Sequence, residues 1–530
     1  MSKRLAVMTA AHLASSAPSF ARFFRAAKDP RRAQESRLRR FLHANADTAY
    51  GKAYGYDRIR SVADFQSRVP VVDYDALSPW VDRAVAGEAR VLSAEPIVAF
   101  EPSSGSSGHR KLIPYTKSFL GEFSAATSPW LFLLHAHRPD LIGATSYWSV
   151  SPAAREPELT PGGVRIGFAS DAEYFGPVAR RYVEAWMAVP GAVARIPDLD
   201  AWRRETARHL LGAADLGIIS VWNPSFLTLL MEAIERDLEA ILARLPAARA
   251  DAIRRGLDRA GAFVGEAIWP RLGLLSSWTD GHACGFVPAM QRFFPTTPLQ
   301  PKGLLATEGV ISFPVGIEQG SAAALTSHFL EFVDLDAPDA PPRLADELRV
   351  GGRYAPLLTT GNGFARYQLR DQVVCDGHYH AAPLLRFMGK LDRTSDLCGE
   401  KLDAVQVERA IETALEAANV DVKFALLAPS DAAAKQARYT LYVEANADDA
   451  ALARLRDLVE AELARGYHYK YCRDLGQLGP VRAWRVADGW ATYEATMVRA
   501  GAKAGDVKPT RLCGRRIWAG IFENEDEAAA

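Results

Sequence analysis

The chain has 530 residues, with 63 Lys and Arg balancing 63 Asp and Glu, 48% hydrophobic residues and 24% charged ones. That length passes the roughly 250–300 residues at which one core stops growing, so more than one domain is expected. The composition excludes a disordered, collagen-like or coiled-coil chain, and a zero formal charge gives no overall reason to bind nucleic acid or an anionic membrane.

Helical spacing dominates the first 60 residues, beginning with an amphipathic stretch over Met1–Arg25 that lacks the apolar core of a signal peptide. Phe65–Leu92 carries loop punctuation at Pro70, Asp73 and Pro79, and Val91, Leu92, Ile97, Val98 and Phe100 read as strand. From 140 to 330, strand-like runs (Leu216–Val221, Leu272–Trp278, Leu304–Ala306) alternate with helix, most clearly Phe226–Leu245. This alternation predicts α/β layering, and 325–388 reads as β-rich. Near 390 a hinge leads into a small α+β domain, giving expected domains 1–392 and 393–530. The five cysteines (284, 375, 398, 472, 513) form no C-x-x-C pair and are odd in number, which fits a reducing, cytoplasmic compartment. No run of about 18 apolar residues predicts a membrane span.

Five segments carry candidate chemistry. Ser103-Ser104-Gly105-Ser106-Ser107-Gly108 follows a strand and closes on Lys111; glycines admit backbone N–H groups to an anion, hydroxyls donate to phosphate and lysine adds a point charge. Its spacing is not that of a P-loop, and composition alone is equally consistent with a flexible loop. Thr307-Glu308-Gly309 ends an apolar strand, where a carboxylate can hold Mg²⁺ beside a phosphate; an ordinary strand exit reads the same way. Tyr367-Gln368-Leu369-Arg370-Asp371 offers an aspartate to two ribose hydroxyls, or a hairpin turn. Gly389-Lys390-Leu391-Asp392 with Gly399-Glu400-Lys401 reads as a linker or hinge, and Asp506–Arg511 as a basic turn.

Taken in order, the five resemble the adenylate-forming superfamily of acyl- and aryl-CoA ligases, luciferases and adenylation domains. Ser103–Lys111 matches the spacing of that pattern's S/T-S/T-G-T-T-G-x-x-K loop, with Ser106 and Ser107 for the threonines. The chain is closer to one branch, resembling a bacterial member of the auxin-responsive acyl-acid amido synthetases. Thr48–Gly51 with Phe65–Pro70, Lys111–Thr116, Trp222–Phe226, Tyr367–Asp371 and Asp506–Arg511 look like that branch's motifs. Departures are Leu304 for the tyrosine that opens T-E-G, Gln368 and Arg370 for the arginine and glycine of Y-R-x-G-D, and a proline one place early at Pro509.

The resemblance implies a large N-terminal adenylate-forming domain of layered α/β sheets with a β-rich subdomain, and a small mobile α+β cap. It implies an ATP- and Mg²⁺-dependent ligase that makes an acyl-adenylate and passes the acyl group to an amine, an amino acid. Carried onto this sequence, Ser106, Ser107 and Lys111 would bind the β/γ-phosphates, with Ser103, Ser104, Gly105 and Gly108 in the same ATP-binding loop, and Thr307 would touch the α-phosphate. Glu308 would hold the metal, and Tyr367 and Asp371 the ribose. Lys508 would neutralise the reacting anions, and Asp392 would be the hinge. Trp222, Phe226 and Trp278 are candidate walls for the acid, with core aromatics as the plainer reading. The expected partners are a small carboxylic acid and an amine, with neither nucleic acid nor membrane. Competing functions are a ligase to coenzyme A or a carrier thiol, and a non-catalytic nucleotide-binding protein. Without G-x-S-x-G or H-E-x-x-H, a hydrolase is disfavoured.

Overall fold

The computed structural model of the protein describes residues 3–104, 110–148, 158–168, 183–196, 198–391, 394–395, 397, 400, 402–430, 437–474, 478–500 and 507–523. The chain divides into two compact units, Met1–Met388 and Gly389–Ala530. The expected boundary, 392/393, falls outside the described residues.

In the first unit four parallel strands lie side by side in the order Thr145–Trp148, Leu216–Ser220, Leu274–Ser277, Leu299–Pro301. Their two-residue period sends neighbours to opposite faces. Ile218 and Leu274 meet Leu131 and Leu134 of the helix Lys117–His137. Ile219 and Leu275 meet Leu210 and Leu211 of the helix Leu199–Gly212, and Leu227 and Leu230 of Pro224–Arg236. Both faces are therefore covered, as an all-parallel sheet requires. The β-rich stretch forms a seven-stranded sheet among the described residues. Its order is Ser312–Pro314, Ser321–Ala323, Ala382–Lys390, Asp371–Tyr379, Arg353–Thr359, Phe329–Asp334, with Tyr367–Gln368 paired to Arg353–Thr359. A third sheet pairs Ile97–Ser104 with Arg110–Thr116 and Arg165–Ile166, and the latter with Glu158–Leu159. The first helix, Lys3–Lys28, packs on Lys117–His137, where Phe20 stacks on Phe132 at 4.7 Å.

Several local expectations change. The prolines expected to break Phe65–Leu92 do not prevent the helix Tyr74–Val85, because Asp73 caps it and Ser78 Oγ donates to the Asp75 carbonyl that Pro79 leaves without an N–H. Pro129 sits inside Lys117–His137 in the same way, with the Ala125 carbonyl taken by Thr326 Oγ1 at 3.3 Å. Val91 and Leu92 are buried but lie outside the strand, since the Arg90 and Val91 carbonyls are occupied by the N–H groups of Ala49 and Tyr50 at the start of a helix. The helix expected over Phe226–Leu245 is broken near Asp237 into Pro224–Arg236 and Leu238–Leu242.

The second unit is a three-stranded sheet, Val422–Pro429, Tyr439–Ala445 and Arg482–Arg485. Ala425 and Leu427 face the helices Ala404–Ala418 and Asp449–Leu463. Phe424, Leu426 and Ala428 face Tyr493, Trp518 and Phe522. No helix among the described residues is long and apolar enough to cross a membrane.

Candidate active site

Thr307 and Glu308 form the turn of a short hairpin, Leu305–Ala306 with Gly309–Val310. Gly309 has φ 156°, and a Cβ there would meet His328 Nε2 at 2.8 Å, so the position has no room for a side chain. The approach serves a hydrogen bond: Val310 N donates to His328 Nε2 at 3.0 Å. That leaves Nδ1 to carry the ring proton and donate to Glu122 Oε2 at 2.9 Å. Glu122 also accepts from Gly361 N at 2.8 Å and from Arg37 Nη2 at 3.0 Å. On the other side Tyr115 OH donates to the Thr307 carbonyl at 2.8 Å. The turn backbone is thus fixed from both sides by buried groups.

The Glu308 side chain is buried and accepts from the Tyr367 hydroxyl at 3.3 Å. Burial, with Glu308 alongside, pushes the Tyr367 phenol far above its ordinary pKa, so it donates at all working pH values. Tyr367 is placed by a clip between two distant segments: Val72 N donates to Arg366 O and Gln368 N to Val72 O. The buried Arg366 guanidinium secures that clip through Glu331 Oε2 at 3.1 Å and the carbonyls of Gln66 and Val69. The clip brings Asp73 and Tyr74 into the site. Asp73 Oδ2 accepts from Arg370 Nη2 at 2.8 Å, and the Tyr74 ring lies 5.6 Å from Lys111 Nζ. Leu112 N donates to the Tyr74 hydroxyl at 2.7 Å. Arg370 has φ 57°, the left-handed region, which explains why the resembling motif carries glycine there. Asp371, buried, opens the next strand.

Lys111 pairs through its backbone with Ser103, and Arg110 with Ser104. Gly105, Ser106, Ser107 and Gly108, between these strands, lie outside the described residues, as do the side chains of Ser103 and Ser104. The Thr307–Glu308 turn and Tyr367 therefore meet through the Glu308–Tyr367 hydrogen bond, and Tyr74 lies against the strand that carries Lys111. Trp222 lies further back, against Trp278 at 5.3 Å between ring centres, and lines a pocket with Trp130, Lys302, Leu305, Val310 and Ser312. Phe226 points elsewhere, its ring 6.0 Å from Trp202 in the core beneath the parallel sheet.

In the second unit the Lys508 carbonyl accepts from Tyr493 OH at 3.4 Å. The following residues join the sheet through Leu427 N to Arg511 O, 2.8 Å, and Cys513 N to Leu427 O, 3.0 Å. Glu400 is buried under the Tyr439 hydroxyl. Asp392, Gly399 and Lys401 lie outside the described residues.

The sequence matches the GH3 family N-terminal domain over residues 20–247, the GH3 family central domain over 321–390 and the GH3 family C-terminal domain over 405–517. The chain belongs to the GH3 family. A putative indole-3-acetic acid-amido synthetase, GH3.10 of Oryza sativa subsp. japonica, is 27% identical over 72% of this chain and 83% of its own length. The 4-substituted benzoates-glutamate ligase GH3.12 of Arabidopsis thaliana is 20% identical over 90% of this chain and 92% of its own length. Among solved structures, the GH3.15 acyl acid amido synthetase in complex with 2,4-DB superposes with a TM-score of 0.81 over 95% of both chains at 18% identity, which establishes the shared fold. This GH3 protein is accordingly an acid–amino acid ligase of the adenylate-forming type.

Four groups of the site escape a sequence reading: Tyr74, Glu122, His328 and Lys302. None lies in a motif. Tyr74 follows a capping Asp73, Glu122 looks like an ordinary helix residue, His328 stands just before a strand, and Lys302 is a lone lysine after a strand. The one available signal was the position of Lys302, directly beyond a strand end and five residues before Thr307.

Proposed function

We propose that Lys111, Thr307, Glu308, Tyr367 and Asp371 form the ATP half of the active site, with the acid seated between the Thr307–Glu308 turn and Trp222 and Trp278. The observation that carries this reading is the buried Tyr367–Glu308 hydrogen bond, which unites motifs 59 residues apart, beside Tyr74, whose ring lies 5.6 Å from Lys111 Nζ. In the first half-reaction a carboxylate oxygen attacks the α-phosphorus and pyrophosphate leaves. Two anions meet, so fixed positive charge and N–H groups supply the main stabilisation. Lys111 and the Ser103–Gly108 segment take the β/γ-phosphates, Thr307 the α-phosphate, and Asp371 with Tyr367 the ribose. Lys508 neutralises the reacting oxygens.

The residues fit Mg²⁺, a hard cation that takes one or two carboxylates plus phosphate oxygens: Glu308 supplies a carboxylate that Tyr367 orients. When bound, the ion supplies charge neutralisation on the phosphates. In the second half-reaction the amino-acid nitrogen attacks the acyl carbon, loses a proton, and the bond to AMP breaks. Motion of the small unit about Asp392 would clear Lys508 for the amine. The free thiols of Cys375 and Cys513 support a cytoplasmic setting.

The test is acid-dependent pyrophosphate release with ATP, Mg²⁺ and a panel of carboxylic acids. Release with at least one acid is expected, and none with any acid would overturn the reading.

A further inference from the structure

The parallel sheet ends in an unusual polar arrangement. Trp148, Ser220 and Ser277 are the last residues of three adjacent strands, and Lys302 follows the last residue of the fourth. The carboxyl edge of a parallel sheet is where such folds bind ligands. Lys302 N is tied to the Ser277 carbonyl at 3.1 Å, and the side chain turns back across the edge. Its ammonium is buried and sits 4.9 Å from the Trp222 ring centre, 5.4 Å from Trp130 and 5.9 Å from Trp148. Three indole faces thus offset part of the cost of burying a cation. An ammonium carries three N–H donors, yet its one hydrogen-bond acceptor among the described residues is Ser220 Oγ, at 2.5 Å. Ser276, in register with Ser220 on the next strand, has a buried hydroxyl with no partner among the described residues.

Beside these groups the pocket encloses about 20 Å³, space for one water-sized group. Leu305 and Val310, on its wall, are each two positions from the Thr307–Glu308 turn, about 7 Å along a strand. An acid with its carboxylate at the turn would reach Lys302 with its far end.

We propose that Lys302 determines substrate specificity by donating a hydrogen bond to a single oxygen, hydroxyl or carbonyl, at the end of the acid remote from its reacting carboxylate. This rests on the acid site proposed above. A pocket built to hydrogen-bond rejects the analogue that leaves its donor unpaired far more strongly than a hydrophobic pocket rejects a change of shape. The small void favours one oxygen over a second carboxylate. Burial also brings the lysine pKa down to about 7, so the charged donor fades as pH rises through that value.

The test compares matched acids, pentanoate with 4-oxopentanoate and benzoate with 4-hydroxybenzoate and terephthalate. Both direct binding without ATP and pyrophosphate release are measured, for the wild type and K302M. A wild-type preference for the single-oxygen acid of about tenfold or more is expected. It should collapse in K302M and decline above pH 7 for the oxygen-bearing acid only. If K302M scales both members of a pair equally, Lys302 is a core residue and the proposal falls. It falls likewise if neither assay shows a preference, or if terephthalate is preferred. Lys302-dependent preference in binding with no pyrophosphate from any acid would leave the specificity assignment standing and overturn the adenylation reading instead.

Discussion

Replacing Lys302 with methionine removes a buried charge while keeping a flexible chain of similar length against Trp130, Trp148 and Trp222. Burial lowers the lysine pKa from 10.5 to about 7, and that gap is worth on the order of 5 kcal/mol of folding free energy. The sign follows from proton counting. Between pH 7 and 10.5 the unfolded chain holds a proton that the folded chain has released, so this group makes stability rise with pH, by about 1.4 kcal/mol per unit. The penalty is full below the folded pKa and gone above the unfolded one. K302M carries none of it. Urea unfolding of both proteins from pH 6.5 to 9.5 should therefore show K302M more stable at the acidic end, by a few kcal/mol once the lost Ser220 bond and indole contacts are counted. The difference should shrink steadily toward pH 9.5. Other titrating groups are common to both proteins and cancel. A difference that does not change with pH, or a wild type that is the more stable at pH 6.5, would refute the reasoning.

Other outcomes follow from the same structure. K508A should cut acid-dependent pyrophosphate release by orders of magnitude while sparing amide formation from a preformed acyl-adenylate; equal loss in both steps would remove Lys508 from the first one. E308Q keeps an acceptor for Tyr367 but not the charge, so pyrophosphate release should fall at least about 100-fold with thermal stability nearly unchanged; a normal rate would show that the carboxylate does not act there. R370G should remain within about 1 kcal/mol of the wild type in urea, because the left-handed backbone that glycine relieves offsets the lost Asp73 bond, whereas R370V should lose about 1–3 kcal/mol. Equal stability of the two variants would mean the φ angle of 57° carries no strain.

The architecture was legible because its signals are periodic. Runs such as Leu216–Val221 and Leu272–Trp278 are short and mostly apolar, with strands buried on both faces and serines only toward their ends. The small unit was equally clear, since Val407 and Ile411 or Leu455 and Val459 repeat at helical spacing. Proline misled the reading at residue 79, where the Ser78 hydroxyl satisfies the carbonyl a proline leaves free. Motif order pointed to Lys111, Glu308, Tyr367 and Asp371, because short loops at strand ends keep their spacing in sequence. The groups that hold them do not. Val72 reaches Arg366, Glu122 reaches His328, and Lys302 reaches Ser220 across tertiary contacts that no local pattern encodes.

The most direct test of the account combines ATP, Mg²⁺, an acid that supports pyrophosphate release and either an amino acid or coenzyme A, with products weighed by mass spectrometry. The account predicts AMP and pyrophosphate in equal amounts, with a product equal to acid plus amino acid less one water. A coenzyme A thioester formed in place of any amide would contradict it.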